Sequence, residues 1–138
     1  MKTDYKLIYS DFNDETGVSI VRIQTPYGTF KGKARACPKD QDYASSFMGC
    51  HLAEWRAYIR YLKFLKKMTK SNMKVVKHII SHMSLSDRNR TFIEGEYNRL
   101  KNDVDQLDLK ISQLETEIKT NIKAREGIMK YVKKGKKK

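Results

Sequence analysis

The feature that most constrains the fold is a seven-residue repeat of core-type positions in the second half of the chain. The repeat runs over five heptads without a slip, at Ile93, Tyr97, Leu100, Val104, Leu107, Ile111, Leu114, Ile118, Asn121, Arg125, Ile128 and Val132. Such a run is hard to obtain by chance and predicts one long helix with a coiled-coil seam. A similar spacing from Met48 to Met83, interrupted by Lys66 and Thr69, predicts another long helix before it.

Three short segments ahead of the helices have the two-residue alternation of β-strands. They are Tyr5–Ser10, Val18–Thr25 and Thr29–Ala36, separated by turns at residues 11–17 and 26–28. In the third segment, Phe30 and the small residues Gly32, Ala34 and Ala36 fall on one face, opposite a basic face. We therefore expect a helix or a second subunit to pack closely against the small face.

The predicted fold class is α+β, with a small N-terminal antiparallel β-meander followed by a long antiparallel two-helix hairpin with heptad seams. We expect one folded unit, with the meander and a loop in residues 1–44, the hairpin in 45–134 and a basic tail in 135–138. The helices are predicted at 45–83 and 87–134, joined by a short turn with a ready N-cap. Because the sheet is too small to cover so long a hairpin, we also expect a homo-oligomer, either a dimer or a ring of dimers.

The net charge of +13 is concentrated in the first predicted helix and the tail. Residues 48–83 contain eight basic side chains and one acidic side chain, Glu54. Such a field attracts phosphates of any kind, so the expected partners are anionic. The chain starts without the apolar core of a signal peptide and contains no apolar run of the ~20 residues needed to cross a bilayer. We therefore expect a cytoplasmic protein with no membrane partner.

The sequence favours binding over catalysis. Its titratable residues form no nucleophile elbow, phosphate-binding glycine loop or HExxH motif. His78 and His82, four residues apart, could share a metal, but no nearby ligand completes a site. Cys37 and Cys50 lack ligand spacing and are expected to be reduced thiols. We predict no catalytic residue, no metal and no cofactor.

The residues predicted to bind an anion combine arginine and lysine with aromatic and amide side chains. A nucleotide needs positive charge to bind its phosphates, an aromatic ring to stack on its base, and an amide to form hydrogen bonds with the edge of the base. These residue types supply all three. Tyr58 and Tyr61 flank the pair Arg56 and Arg60 in the sequence, and are considered as further stacking aromatics. The predicted ligand-binding residues are Arg22, Lys31, Lys33, Arg35, Arg56, Phe92 and Asn102.

The segment from Tyr27 to Lys63 resembles phage Thoeris anti-defence proteins, which act as sponges for cyclic ADP-ribose signals. The matching elements are Tyr27-Gly28, Phe30, Gly32 and Ala34, then Pro38, Asp40 and Asp42, then Gly49, Ala53, Glu54, Arg56 and Ala57. The resemblance covers about a quarter of the chain at motif level, and the lysine tail has no counterpart in it.

The resemblance implies a non-enzymatic sponge in the cytoplasm of an infected bacterial host. Such a protein sequesters a cyclic ADP-ribose isomer, and some members form rings of dimers and hold cyclic oligonucleotides at separate sites. Two other interpretations remain open. The basic charge is also typical of non-specific nucleic-acid binding, although no helix-turn-helix, zinc finger or RNP-like strand is present. A coiled-coil inhibitor of a host protein is the third.

Overall fold

The protein is α+β, with a three-stranded antiparallel sheet followed by two helices. The computed structural model describes residues 3–13, 15–35 and 46–136, and the side chains of the two helices from residue 49 to residue 123. The elements are β1 (Lys6–Asn13), β2 (Val18–Thr25), β3 (Gly28–Arg35), α1 (Ser46–His82) and α2 (Asp87–Lys136). The predicted small residue Ala36, the loop residues Pro38, Asp40 and Asp42, and Cys37 lie outside the described residues.

The sheet has the strand order β1-β2-β3, so both β1 and β3 are edge strands. Strand β1 continues to Asn13, three residues beyond the predicted end, because residues 11–13 pair with Ile20, Ser19 and Val18 of β2. The Asn13 side chain then accepts hydrogen bonds from the backbone nitrogens of Glu15 and Thr16, which closes the turn before β2. The prediction that this whole stretch is a turn was therefore wrong.

The helices begin and end within two residues of the predicted positions. Ser86 caps α2, since its hydroxyl accepts a hydrogen bond of 3.3 Å from the Asn89 nitrogen. Helix α2 continues to Lys136, so the first two residues of the predicted tail belong to the helix, and residues 137 and 138 lie outside the described residues.

The contacts within the chain divide it into two compact units. The sheet unit comprises Lys2–Tyr61 and Gln113–Lys138, and the helical unit comprises Leu62–Ser112. The core of the sheet unit contains side chains from strands and helices: Val21, Ile23, Ala34, Leu52, Ala53, Ala57, Tyr58, Ile59, Tyr61 and Ile118. In the helical unit the buried side chains are Leu62, Leu65, Thr69, Val104, Leu107 and Ile111.

Helix α1 packs on the small-residue face of β3, as the alternation predicted. A Cβ atom placed on Gly32 would overlap the carbonyl oxygen of Ala53 and lie 2.6 Å from the nitrogen of Ala57. A second close approach joins Gly49 of α1 to Ser19 of β2. At Gly32 the close atoms belong to the α1 backbone, whereas at Gly49 they belong to the Ser19 side chain. Only glycine leaves room for these contacts, so the two positions set how closely α1 approaches the sheet.

Candidate functional site

The open edge of β3 is occupied by two arginines of α1. Arg56 Nη1 donates a hydrogen bond of 2.9 Å to the carbonyl oxygen of Lys33, and Arg60 Nη1 donates one of 3.1 Å to the carbonyl oxygen of Lys31. The two pairs fit because four residues of helix rise about 6.0 Å and two residues of strand rise about 6.8 Å. The arginines therefore satisfy edge carbonyls that could otherwise pair with another strand.

The same arginines line a cleft of about 380 Å³ within the sheet unit. Its lining residues are Lys33, Arg56, Ile59, Arg60, Glu115, Ile118 and Lys119. Four of the seven side chains are basic and one is acidic, so the cleft has a net positive charge. The buried side chains of Ile59 and Ile118 add an apolar surface between the charged groups.

The guanidinium groups in this cleft retain donors for a ligand. Each guanidinium has five N–H donors, and one of them bonds to a β3 carbonyl. Among the described residues, neither Arg56 nor Arg60 forms an ion pair with a carboxylate. Because the carbonyl bonds hold both groups in place, an anion entering the cleft would meet donors whose positions are already fixed.

The outer face of the sheet carries the other predicted basic residues. Lys31, Lys33 and Arg35 alternate with buried positions and are exposed, which confirms the predicted face. Arg22 of β2 pairs in register with Lys31, and its guanidinium lies 5.3 Å from the centre of the Tyr9 ring. This cation–π contact holds Arg22 over β1.

The predicted site residues fall into both units. Arg22, Lys31, Lys33, Arg35 and Arg56 belong to the sheet unit, and two of them, Lys33 and Arg56, line the cleft. Phe92 and Asn102 belong to the helical unit, and both are exposed on α2, as the heptad register predicted for Phe92. Phe92 is the most exposed large apolar side chain described, at 70%.

The tyrosines that flank the arginines in the sequence are not available for stacking on a ligand. Tyr58 and Tyr61 are buried in the core of the sheet unit, so considering them as stacking aromatics was wrong. Tyr61 packs on Phe30 with ring centres 5.3 Å apart, and burial raises its pKa. Tyr58 packs on Tyr5 at 4.7 Å. Burial, followed by the charge of Glu54, raises the pKa of Tyr5 to about 12.

Sequence reasoning missed the part of the cleft that α2 supplies. Glu115 and Lys119 are spaced like an ordinary exposed charge pair on a helix, and Ile118 was recognised only as a heptad position. No local pattern indicates that this turn of α2 lies beside Arg56 and Arg60.

The described residues contain no group of three or more His, Cys, Asp or Glu side chains that could hold a metal ion. His78 and His82 stack with ring centres 4.2 Å apart, and His82 Nδ1 lies 3.2 Å from the His78 carbonyl oxygen. Over the described residues, neither helix combines the length and apolar character needed to span a membrane. No protein family, curated protein or solved structure matches this chain.

Proposed function

We propose that this protein binds and sequesters a cyclic nucleotide signal, an isomer of cyclic ADP-ribose, without converting it. The observation that carries the proposal is the basic cleft in which the carbonyls of β3 hold Arg56 and Arg60 in place. A diphosphate needs several positively charged hydrogen-bond donors at fixed positions, and the two arginines with Lys33 and Lys119 supply them. The apolar surface of Ile59 and Ile118 suits the face of a base or a ribose.

The resemblance to Thoeris anti-defence proteins supports the choice of ligand class, because four of its motif residues lie where α1 meets β3 and one of them, Arg56, lines the cleft. Gly32, Ala53 and Ala57 make the close contact between strand and helix, and Arg56 binds the β3 carbonyl beside it. The proposed setting is the cytoplasm of an infected bacterium, where removal of the signal would block an immune response. A cyclic oligonucleotide remains a candidate second ligand on the same resemblance.

We also propose that the functional form is a homo-oligomer built through its helices. The support comes from the helical unit, where none of the eleven apolar side chains between residues 70 and 103 is buried. They are Met73, Val75, Val76, Ile79, Ile80, Met83, Leu85, Phe92, Ile93, Tyr97 and Leu100. Val75, Met83 and Phe92 are exposed and the other eight are half-buried. Apolar surface left in contact with solvent over such a length is typical of an interface, and a second copy forming a four-helix arrangement would cover it. Sedimentation equilibrium tests this: a monomer mass at micromolar concentration would contradict it.

The ligand proposal is tested by retention and recovery. The protein is incubated with each cyclic ADP-ribose isomer, filtered and heat-denatured, and the released compound is identified by mass spectrometry. Recovery of the intact compound is expected. Release of a cleaved product would show an enzyme, and no retention of any isomer would contradict the proposal.

Variants of the cleft make the test specific. Arg56→Gln with Arg60→Gln should reduce retention at least tenfold, since a charged hydrogen bond contributes roughly 1.5–3 kcal/mol. Lys119→Gln tests the cleft without disturbing β3. Arg88→Gln with Arg90→Gln, on exposed residues of α2, removes the same charge and should leave retention unchanged. Equal losses in the two double variants would contradict the assignment of the cleft.

The exposed and half-buried apolar side chains of the helical unit also favour a second candidate, a coiled-coil inhibitor of a host protein. A pull-down that returns one stoichiometric host partner, together with no retention of a cyclic nucleotide, would favour that function.

A further inference from the structure

A row of lysines follows one face of α1 in the helical unit. The row, termed the lysine ridge, consists of Lys63, Lys67, Lys70, Lys74 and Lys77, all exposed. At 100° and 1.5 Å per residue these positions lie within an arc of about 80° and extend over about 21 Å. Lys63, Lys67, Lys70 and Lys74 line one shallow groove of about 370 Å³, together with Lys66 and Ser71.

The helical unit leaves most of this charge uncompensated. No Asp or Glu occurs between Glu54 and Asp87 in the sequence. Lys66, beside the ridge, pairs with Asp108 of α2. Among the described residues, Lys67, Lys70, Lys74 and Lys77 have no carboxylate partner.

The lysine ridge destabilises α1, the helix on which it lies. Lysines three or four residues apart repel each other and destabilise a helix, and the ridge contains four such neighbouring pairs. Helix α2 shows the usual alternative within the same unit, since Arg99 pairs with Glu96 at 2.8 Å and with Asp103 at 3.7 Å. The lysines from Lys67 to Lys77 thus form a row of unpaired positive charges, which suits a ligand that carries a chain of negative charges.

We propose that the lysine ridge binds the phosphate backbone of a nucleic acid, independently of the cleft in the sheet unit. The ridge is too long for a single small nucleotide, because 21 Å spans about six phosphates at 3.4 Å per phosphate along one strand. All five side chains are lysines, whose compact charge lacks the fork by which arginine reads bases and paired oxygens. The binding is therefore independent of base sequence.

The test uses the full-length protein and two fluorescent probes, a 20-nucleotide oligothymidylate and a 20-base-pair duplex. Fluorescence anisotropy is measured at 50, 100 and 200 mM KCl. If five lysines each neutralise one phosphate, the logarithm of the association constant should fall against the logarithm of salt concentration with a slope near −3.5 for the single strand. Comparing the association constants of the two probes shows whether the ridge prefers single-stranded or double-stranded DNA.

The decisive variant is Lys67→Gln with Lys70→Gln and Lys74→Gln. Its slope should be shallower by about 2, and at 0.1 M salt its affinity should fall about 100-fold, since each lost contact weakens binding about fivefold. The control, Lys6→Gln with Lys101→Gln and Lys123→Gln, removes equal charge from exposed positions off the ridge. It should change the affinity less than about threefold. Glutamine is nearly as good a helix former as lysine, and circular dichroism at 222 nm checks that the fold is kept.

Three outcomes would overturn the proposal. They are no binding of either probe by the unmodified protein at 50 mM KCl, equal losses in the two triple variants, and binding to vesicles containing phosphatidylserine without binding to either probe. Retention of the cyclic nucleotide should be unchanged in the ridge variant, so the failure of one proposal is distinguishable from the failure of the other.

Discussion

Replacing Gly32 by alanine adds one methyl group where β3 meets the backbone of α1. That methyl group would overlap the Ala53 carbonyl oxygen and lie 2.6 Å from the Ala57 nitrogen and 2.9 Å from the Ala53 carbonyl carbon. Ordinary contact distances are about 3.5–4.0 Å, so the helix must move away from the strand by about 1 Å or more. No side-chain rotation relieves the clash, because all three atoms belong to the helix backbone.

The expected cost follows from this geometry. Overpacking costs about 1–3 kcal/mol, and the upper end applies where backbone atoms must move. Glycine is less favourable than alanine in a strand by about 0.5–1 kcal/mol, which offsets part of the loss. The net loss should be about 2 kcal/mol, which lowers the melting temperature by about 8 °C at roughly 4 °C per kcal/mol. Displacement of α1 should also lengthen the hydrogen bonds from Arg56 and Arg60 to β3 and weaken ligand retention.

The assay is urea or thermal unfolding at one fixed protein concentration, followed by circular dichroism and by the fluorescence of Trp55. This is the only tryptophan, and its ring packs 4.2 Å from that of His51 in the sheet unit. Gly95→Ala is the matched control, because a Cβ atom there meets nothing within 4 Å. In the interior of α2 this change should raise stability by about 1 kcal/mol. A Gly32→Ala protein as stable as the unmodified one would refute the argument.

Three further predictions concern single side chains. Ser19→Ala should raise the free energy of unfolding by about 1 kcal/mol in urea titration, because the buried Ser19 hydroxyl has no hydrogen-bond partner among the described residues; a loss of more than 1 kcal/mol would show a missed partner. Asp108→Asn removes the half-exposed ion pair with Lys66 and should lower stability by less than about 1 kcal/mol, whereas a larger loss in the same titration would show stronger coupling. Because the pKa of Tyr5 is about 12 in the folded protein and 10 in the unfolded chain, the folded state holds this proton more tightly. That contribution is complete below pH 10 and is lost as the pH rises towards 12, so Tyr5→Phe should flatten the fall in melting temperature between pH 9 and pH 11.5, and parallel profiles would contradict it.

Local patterns predicted the elements and their faces with good accuracy. The bounds of β2 agree with the structure, and Ser86 caps α2 as expected. The packing of a helix on the small-residue face of β3 was predicted correctly. The face could be identified because the two-residue alternation of a strand is visible in its sequence alone. The end of β1 was missed because Asp11 and Asn13 are residues typical of turns, and the strand is extended there only by pairing with β2.

Only part of the candidate site could be predicted from the sequence. Lys33 and Arg56 were predicted as ligand-binding residues and line the cleft, whereas Glu115 and Lys119 were not predicted. Periodicity predicts the face of a helix on which a residue lies, but not which turn of another helix lies opposite that residue. The alignment of one helix against another depends on how side chains of different elements pack, which the sequence of a single segment does not determine.

The sequence by itself determined the order of the elements, the basic face of β3 and the concentration of positive charge on the first helix. These are properties of spacing and composition, which the covalent chain carries without any long-range contact. Only the tertiary structure decided that Arg56 and Arg60 bind the edge of β3, because that match needs the helix at the close distance that Gly32 permits. The tertiary structure also decided that Tyr58 and Tyr61 lie in the core and that Lys33 and Arg56 line the cleft, because both outcomes depend on how the helices pack against the sheet.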